Sequence, residues 1–445
     1  MPFLRELVYS MYLYSLPFLT GMLKLRLCRM VRLKKKERMI SMNFDPATST
    51  LTLDLLATTG FGCVMVYLGK GIVRRVKVFQ DWSLPAPVIG GLIVAVILSI
   101  LKSNGIFAVE WTSTLGNHLM NIFFTCVGFG FSRKLLDRGK KFCAGIALSV
   151  LLLVLLQGIL GIVVASSLGM HPLMGIQIGT GALAGGVGTT SAFGPVYEGM
   201  GAVGATEIGV SAATLGMIIG SLTGGPLAVL LIKNHKLTSD PSETEFEDDG
   251  EKALPLDAKN LLSSVCMITI IAACGIPIYL LLSQIPLIEM PYFIGCLFAG
   301  AIARNVLEGF HVEIRPQEVE TIEHISLDIF LAITIMTMDL TKIAGSAVPM
   351  LITLIAVTVA TLLFTYFIGF RMYKSDYNAA CMCAGLIGMG MGSGSNAVAN
   401  ERAVMEKYGY SHIAWVLYPA FSVLCVDIFN PLFMSFAPGF MGFAG

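Results

Sequence analysis

The sequence predicts an all-α polytopic membrane protein, built as an inverted repeat of two five-span halves, each with a Gly/Ser/Thr-rich re-entrant loop. Three observations predict it. The first is composition: of 445 residues, 55% are hydrophobic and only 13% charged, about half the charge fraction of a soluble domain. The second is a repeat at an offset of about 204 residues: Gly181, Gly186, Gly188 and Ser191 return as Gly385, Gly390, Gly392 and Ser395, and Pro87 and Gly91 as Pro291 and Gly295. The third is the placement of Lys and Arg between the apolar stretches.

In the first half, apolar spans fall at 54–69, 86–101, 115–131, 142–168 and 205–232; the second repeats them at 261–284, 291–307, 325–340, 347–370 and 411–437. Uncharged runs such as Phe142 to Leu168 can cross roughly 30 Å of hydrocarbon. Five spans per half invert the second half relative to the first, and the basic residues agree. Lys70, Arg74, Arg75 and Lys77 follow span one, Arg133, Lys134, Arg138, Lys140 and Lys141 follow span three, and Arg304, Arg315, Arg371 and Lys374 follow spans seven and nine. The opposite loops have Lys102 and Lys342 as their only strong bases, so both ends of the ten-span core are expected outside.

This divides the chain into a first repeat at 42–232, an acidic linker at 233–259 expected in the cytoplasm, and a second repeat at 260–445. Residues 1–41, with a basic run from Lys24 to Arg38, pull the next loop inside, against the core topology. They read as an atypical extension, with Met42 preferred as the start.

The twin Gly-rich segments carry the candidate chemistry. Alternating glycines suit broken backbone better than one packing face, and broken backbone at membrane depth survives only inside protein or along a cavity. Interleaved hydroxyls and freed amides there can hold a carboxylate, and carbonyls can hold sodium. The substrate candidates are Gly186, Gly188, Thr189, Thr190, Ser191, Gly390, Gly392, Ser393, Ser395, Asn396 and Asn400. Acids inside spans are costly and read as functional. Glu207 and Asp427 are therefore sodium candidates, with Ser211 and Thr214 on the face of Glu207, and Asn430 beside Asp427.

Other classes find little support. A net charge of +1 and no basic–aromatic run argue against nucleic acid. No Gly-x-Gly-x-x-Gly follows a strand, and no nucleophile–base grouping suggests an enzyme. The cysteines, scattered singly through apolar spans, read as core residues, and no permanent cofactor is expected.

From about Met42 to its end the chain resembles the bacterial glutamate:sodium symporter family. The likeness is carried by Pro85-Ala86-Pro87-Val88-Ile89-Gly90-Gly91, His171-Pro172-Leu173-Met174-Gly175, Gly185-Gly186-Val187-Gly188-Thr189, Ala205-Thr206-Glu207, Gly224-Gly225-Pro226, and Gly388-Met389-Gly390-Met391-Gly392 with Ala397-Val398-Ala399-Asn400. The resemblance implies sodium-coupled uptake of L-glutamate or a related small anion, a homodimer in the bacterial inner membrane, and elevator-type motion of a transport unit against a scaffold. It departs from the family pattern at Val187, where the family has His, and at Gly394-Ser395-Asn396, where the family has Thr-Pro-Thr. The alternative is a sodium-coupled transporter of the same fold for another dicarboxylate or amino acid.

Overall fold

A computed structural model describes residues 43–443, apart from 47–48, 82–83, 133–139, 240–255, 285–290, 311, 313 and 344. The expectation for residues 1–41 and the acidic core of the linker lie outside the described residues.

Fourteen helices set the architecture. They are α1 (Leu55–Arg75), α2 (Ala86–Ser103), α3 (Thr114–Phe129), α4 (Lys140–Ser167), α5 (Pro172–Ile176), α6 (Gly186–Gly199), α7 (Ala205–His235), α8 (Ala258–Leu282), α9 (Tyr292–Gly309), α10 (Pro316–Met336), α11 (Ala347–Phe364), α12 (Tyr377–Gly390), α13 (Gly394–Tyr408) and α14 (Tyr418–Phe440). π-helical turns extend α5 over Gln177–Gly181 and α11 over Thr365–Gly369, and another, Ile413–Leu417, leads into α14.

Among the described residues, seven helices are long and apolar enough to cross a membrane: α1, α2, α4, α7, α8, α11 with its extension, and α14. The chain is thus a mostly helical, multi-pass membrane protein. The other three predicted spans form α3, α9 and α10, of which α3 packs on both of the others, and they carry more polar residues. One feature escaped the all-α reading. Strand β1 (Asn43–Asp45) pairs antiparallel with β2 (Thr50–Thr52), which pairs in parallel with β3 (Ala108–Glu110). Segments this short have no hydrophobic period to reveal them. The sheet places the entry to α1 beside the loop after α2.

The helices form two groups. In one, α1 packs on α2, α8 on α9, α3 on α9 and α10, and α2 on α10. In the other, α4 packs on α5, α11 and α14, while α7 packs on α6, α12 and α13. Small residues set the closest crossings, since lipid supplies no hydrophobic drive between helices. A Cβ on Gly128 of α3 would stand 1.9 Å from the Leu297 carbonyl of α9, and one on Gly300 would stand 2.2 Å from that of Thr125. In α4 and α5, Gly161 and Gly175 each exclude a Cβ by the other's carbonyl, at 2.2 and 2.4 Å.

These crossings give a sharp expectation. Gly128→Leu drives a side chain into the α9 backbone and costs at least about 1–3 kcal/mol. Gly71→Leu, at a site with nothing within 4 Å, is tolerated. Thermal unfolding and size-exclusion profiles in detergent check this; equal behaviour of the two variants contradicts the packing.

Candidate functional site

The glycine-rich segments fold as two helix–break–helix pairs. In the first, α5 and its π-turn run to a break at Ala184-Gly185, and α6 returns from Gly186, whose φ of +67° needs a glycine. In the second, α12 ends at Gly390, and Ser393 precedes α13. The two breaks meet: a Cβ on Gly186 would lie 3.0 Å from the carbonyl oxygen of Gly392. The N-terminal ends of α6 and α13 therefore point into one region, and such ends favour anions.

Side-chain amides from neighbouring elements secure these breaks. Gln157 of α4 donates through Nε2 to the Gly390 carbonyl at 2.6 Å and to Thr361 Oγ1 at 3.0 Å. Asn396 and Asn400 donate through Nδ2 to the α7 carbonyls of Met217 (3.0 Å) and Gly220 (3.1 Å). Thr180 donates to Asn430 Oδ1 at 2.8 Å, and a Cβ on Gly185 would stand 2.3 Å from the other amide atom of Asn430. Gln177 Nε2 reaches the Thr190 carbonyl at 3.3 Å.

The substrate candidates therefore take different places. Gly186 and Gly392 face each other. Thr190 spends its hydroxyl on the carbonyls of Gly186 and Val187, whereas Ser191 Oγ is buried without a partner. Ser393 and Ser395 pair with each other at 2.8 Å. Thr189 is buried; Gly188 faces Leu327 of α10, and Gly390 lies against Leu153 of α4. Asn396 and Asn400 are buried and bind α7 across the helix interface. Among the sodium candidates, Thr214 returns its hydroxyl to the Val210 carbonyl, Ser211 and Asp427 are half-buried, and Asn430 is buried beneath the first break.

Glu207 lies elsewhere, at the seam between the groups. Its Oε1 accepts from Lys342 Nζ at 3.2 Å and from the Asp339 backbone N–H at 3.1 Å, while Oε2 is buried without a partner. Asp339 in turn holds Lys102 of α2 at 2.6 Å. Burial pushes the Asp339 carboxyl up, but hydrogen bonds from Lys102 and Thr341 outweigh it and hold it below its usual range. Burial likewise lowers Lys342, and the Glu207 carboxylate outweighs that, holding the ammonium above the usual lysine range. Beside this cluster lies a cavity of about 490 Å³, walled by α3, α6, α7, α9 and α10 and reaching Ser191.

Several functional-looking groups were missed from the sequence. Gln157 and Gln177 are polar residues within apolar runs, a usable signal. Glu401 of α13 is fully buried, with neither carboxylate oxygen partnered; it was hidden in the polar run Asn400-Glu401-Arg402. Glu323 of α10 lies within electrostatic range of Asp427, a juxtaposition no sequence spacing displays.

The Asp339 carboxyl, held below its unfolded value, contributes stability that is complete above about pH 4 and lost as pH falls through the lower folded value. Lys102→Met removes the largest source of that depression. It is expected to cost about 0.5–1 kcal/mol at neutral pH and to flatten the acid loss of stability. Melting curves between about pH 7 and pH 2 check it; parallel curves for variant and wild type contradict it.

Comparison with known proteins places this architecture. Residues 51–410 match the family model described as sodium/glutamate symporter. A protein named sodium/glutamate symporter from Escherichia coli strain K12 is 33% identical over 390 residues, covering 85% of this chain and 96% of its own. One of the same name from Haemophilus influenzae is 31% identical over 397 residues, covering 87% and 98%. A match across most of the chain, including the segment that folds as the paired breaks, means that the protein belongs to the sodium/glutamate symporter family.

Proposed function

We propose that this chain is a sodium-coupled symporter that takes up L-glutamate, or a closely related small anion, across the bacterial inner membrane. The observation that carries the reading is the tip-to-tip meeting of the two broken helix pairs at Gly186 and Gly392. Two opposed helix N-termini, with glycine backbone between them, suit a carboxylate substrate, and loose carbonyls and hydroxyls suit sodium. The names of the relatives support glutamate and sodium as the pair.

The helix pairing supports an inverted repeat whose two breaks are re-entrant loops. The contact of α1 with α2 corresponds to that of α8 with α9, and α3 on α9 to α10 on α2. Gln157 and Thr361, 204 residues apart, hydrogen-bond where α4 crosses α11. In this reading the group containing α1, α2, α3, α8, α9 and α10 is the scaffold, and the group containing both breaks moves as an elevator. The basic ends of α1 and α3 face the cytoplasm with the linker. The cavity, at the opposite ends of the helices, then opens outward. The homodimer implied by the resemblance belongs to the same proposal.

Sodium falls to Asp427 and Asn430 with the break carbonyls in this scheme, since the Lys342 ion pair makes Glu207 a poor sodium ligand. Energetics favour more than one cation. Moving a −1 substrate inward against about 100 mV costs about 2.3 kcal/mol, which one sodium ion only cancels. A second adds about 2.3 kcal/mol from the potential and about 1.4 from a tenfold gradient.

Proteoliposomes given an inward sodium gradient are expected to accumulate labelled L-glutamate, whereas a potassium gradient drives none. Gly392→Val, whose Cβ would stand 2.3 Å from Asn396 Nδ2, is expected to cut that uptake tenfold or more (about 1.4 kcal/mol) in folded protein. Sodium-independent uptake contradicts the proposal, and no uptake from folded wild type contradicts L-glutamate as the substrate.

A further inference from the structure

The outer cavity holds an unusual concentration of unused acceptors. Asn121 Oδ1 of α3, Ser191 Oγ of α6 and Glu207 Oε2 of α7 are each buried without a hydrogen-bond partner, and all three residues line this one space of about 490 Å³. Two of these atoms can only accept, and a serine hydroxyl can do so. Polar atoms left unpaired inside a protein are costly and call for an explanation. Their neighbours are polar too: Ser113, Asn117 and Asn121 share one face of α3 at i, i+4 and i+8 and turn it to the cavity. The volume falls within the range of small-molecule sites.

We propose that this cavity recognises the α-ammonium group of an amino-acid substrate, with Glu207 Oε2 as its anionic partner and Asn121 and Ser191 as further acceptors. Lys342, which also lines the cavity, receives the substrate's carboxylate. The inference rests on the symporter reading and deepens it, by naming the feature that separates glutamate from plain dicarboxylates. A primary ammonium brings three N–H donors to three acceptors. A bare cation could use the same oxygens, but it meets the Lys342 ammonium, 3.2 Å from the other oxygen of Glu207, with no anion of its own to offset the repulsion. A zwitterion places its carboxylate next to its ammonium, and so matches a carboxylate standing next to a lysine.

Glu207 thus acts as a specificity residue on the outward approach to the paired breaks. Its side chain is 4% exposed and that of Lys342 is 39% exposed, so the carboxylate is fixed while the lysine can swing to meet an incoming anion.

The test is competition against labelled L-glutamate uptake by unlabelled L-glutamate and by glutarate, the same dicarboxylate without the amine. Wild type is expected to prefer L-glutamate by at least about tenfold, the scale of a lost charge-assisted hydrogen bond. Glu207→Gln is expected to weaken L-glutamate about tenfold and leave glutarate and the half-saturating sodium concentration nearly unchanged, so that the preference collapses. Asn121→Ala, which spares the ion pair, is expected to shift the preference in the same direction by a few-fold, and serves if Glu207→Gln does not fold. A variant that shifts the sodium requirement while keeping the amine preference overturns the inference, as does equal weakening of both ligands. Wild type with no sodium-driven glutamate uptake overturns the symporter reading itself, whereas active wild type with an unaltered preference in both variants overturns this inference alone.

Discussion

Everything at the centre of this molecule depends on satisfying broken backbone where no water reaches it. A helix interrupted at membrane depth releases carbonyl and amide groups that cost several kcal/mol each if left bare. Here the buried Gln157 donates to the Gly390 carbonyl at the second break and Gln177 to the Thr190 carbonyl near the start of α6, while Asn396 and Asn400, just after the second break, tie α13 to carbonyls of α7. Gln157 lies in the opposite half from the Gly390 carbonyl that it binds, so the second break is completed from the first half. Thr180 and Asn430, 250 residues apart, join the first break to the final helix in the same way. This interdependence explains why the two segments sit tip to tip, and why the chain needs both halves folded to make one site.

A second constraint acts at the seam between the helix groups. Within each group, backbones approach so closely that glycine carbonyls exclude a Cβ, which makes each group stiff. Between the groups the described contacts are sparser, and the cavity of about 490 Å³ with its polar wall lies there. The charged chain from Lys102 through Asp339 and Lys342 to Glu207 crosses this seam. Partly exposed pairs of this kind add modest stability. Their value lies in orientation: they hold one oxygen of Glu207 at the cavity wall and leave the other without a partner. Closely packed groups, a seam with a cavity and partly exposed ion pairs across it fit the proposed motion of one group against the other.

Much of this was legible in the sequence, and the reasons are physical. Hydrophobic runs report helices because lipid demands them, and all ten expected spans are helices in the structure. The glycines at 186 and 392 announced the breaks, because alternating glycine in an apolar chain serves poorly as a single packing face. What stayed hidden depends on contacts between distant elements. The ion pair of Glu207 with Lys342, 135 residues later, has no trace in the spacing of either residue. Glu401 gave no signal because a polar run around an acid usually marks a surface, and here one face of that run is buried against Gly385 and Tyr418. The small sheet at 43–110 was invisible because three-residue strands carry no period.

One measurement goes to the heart of this: labelling of an Asn117→Cys variant, at an exposed position lining the outer cavity, in a background without other cysteines, by a membrane-impermeant thiol reagent applied from either side. Labelling is expected from the outside, slowed by L-glutamate only when sodium is present, because the outer cavity lies on the approach to the paired breaks. Labelling from the cytoplasmic side alone, or a rate indifferent to glutamate and sodium, would contradict it.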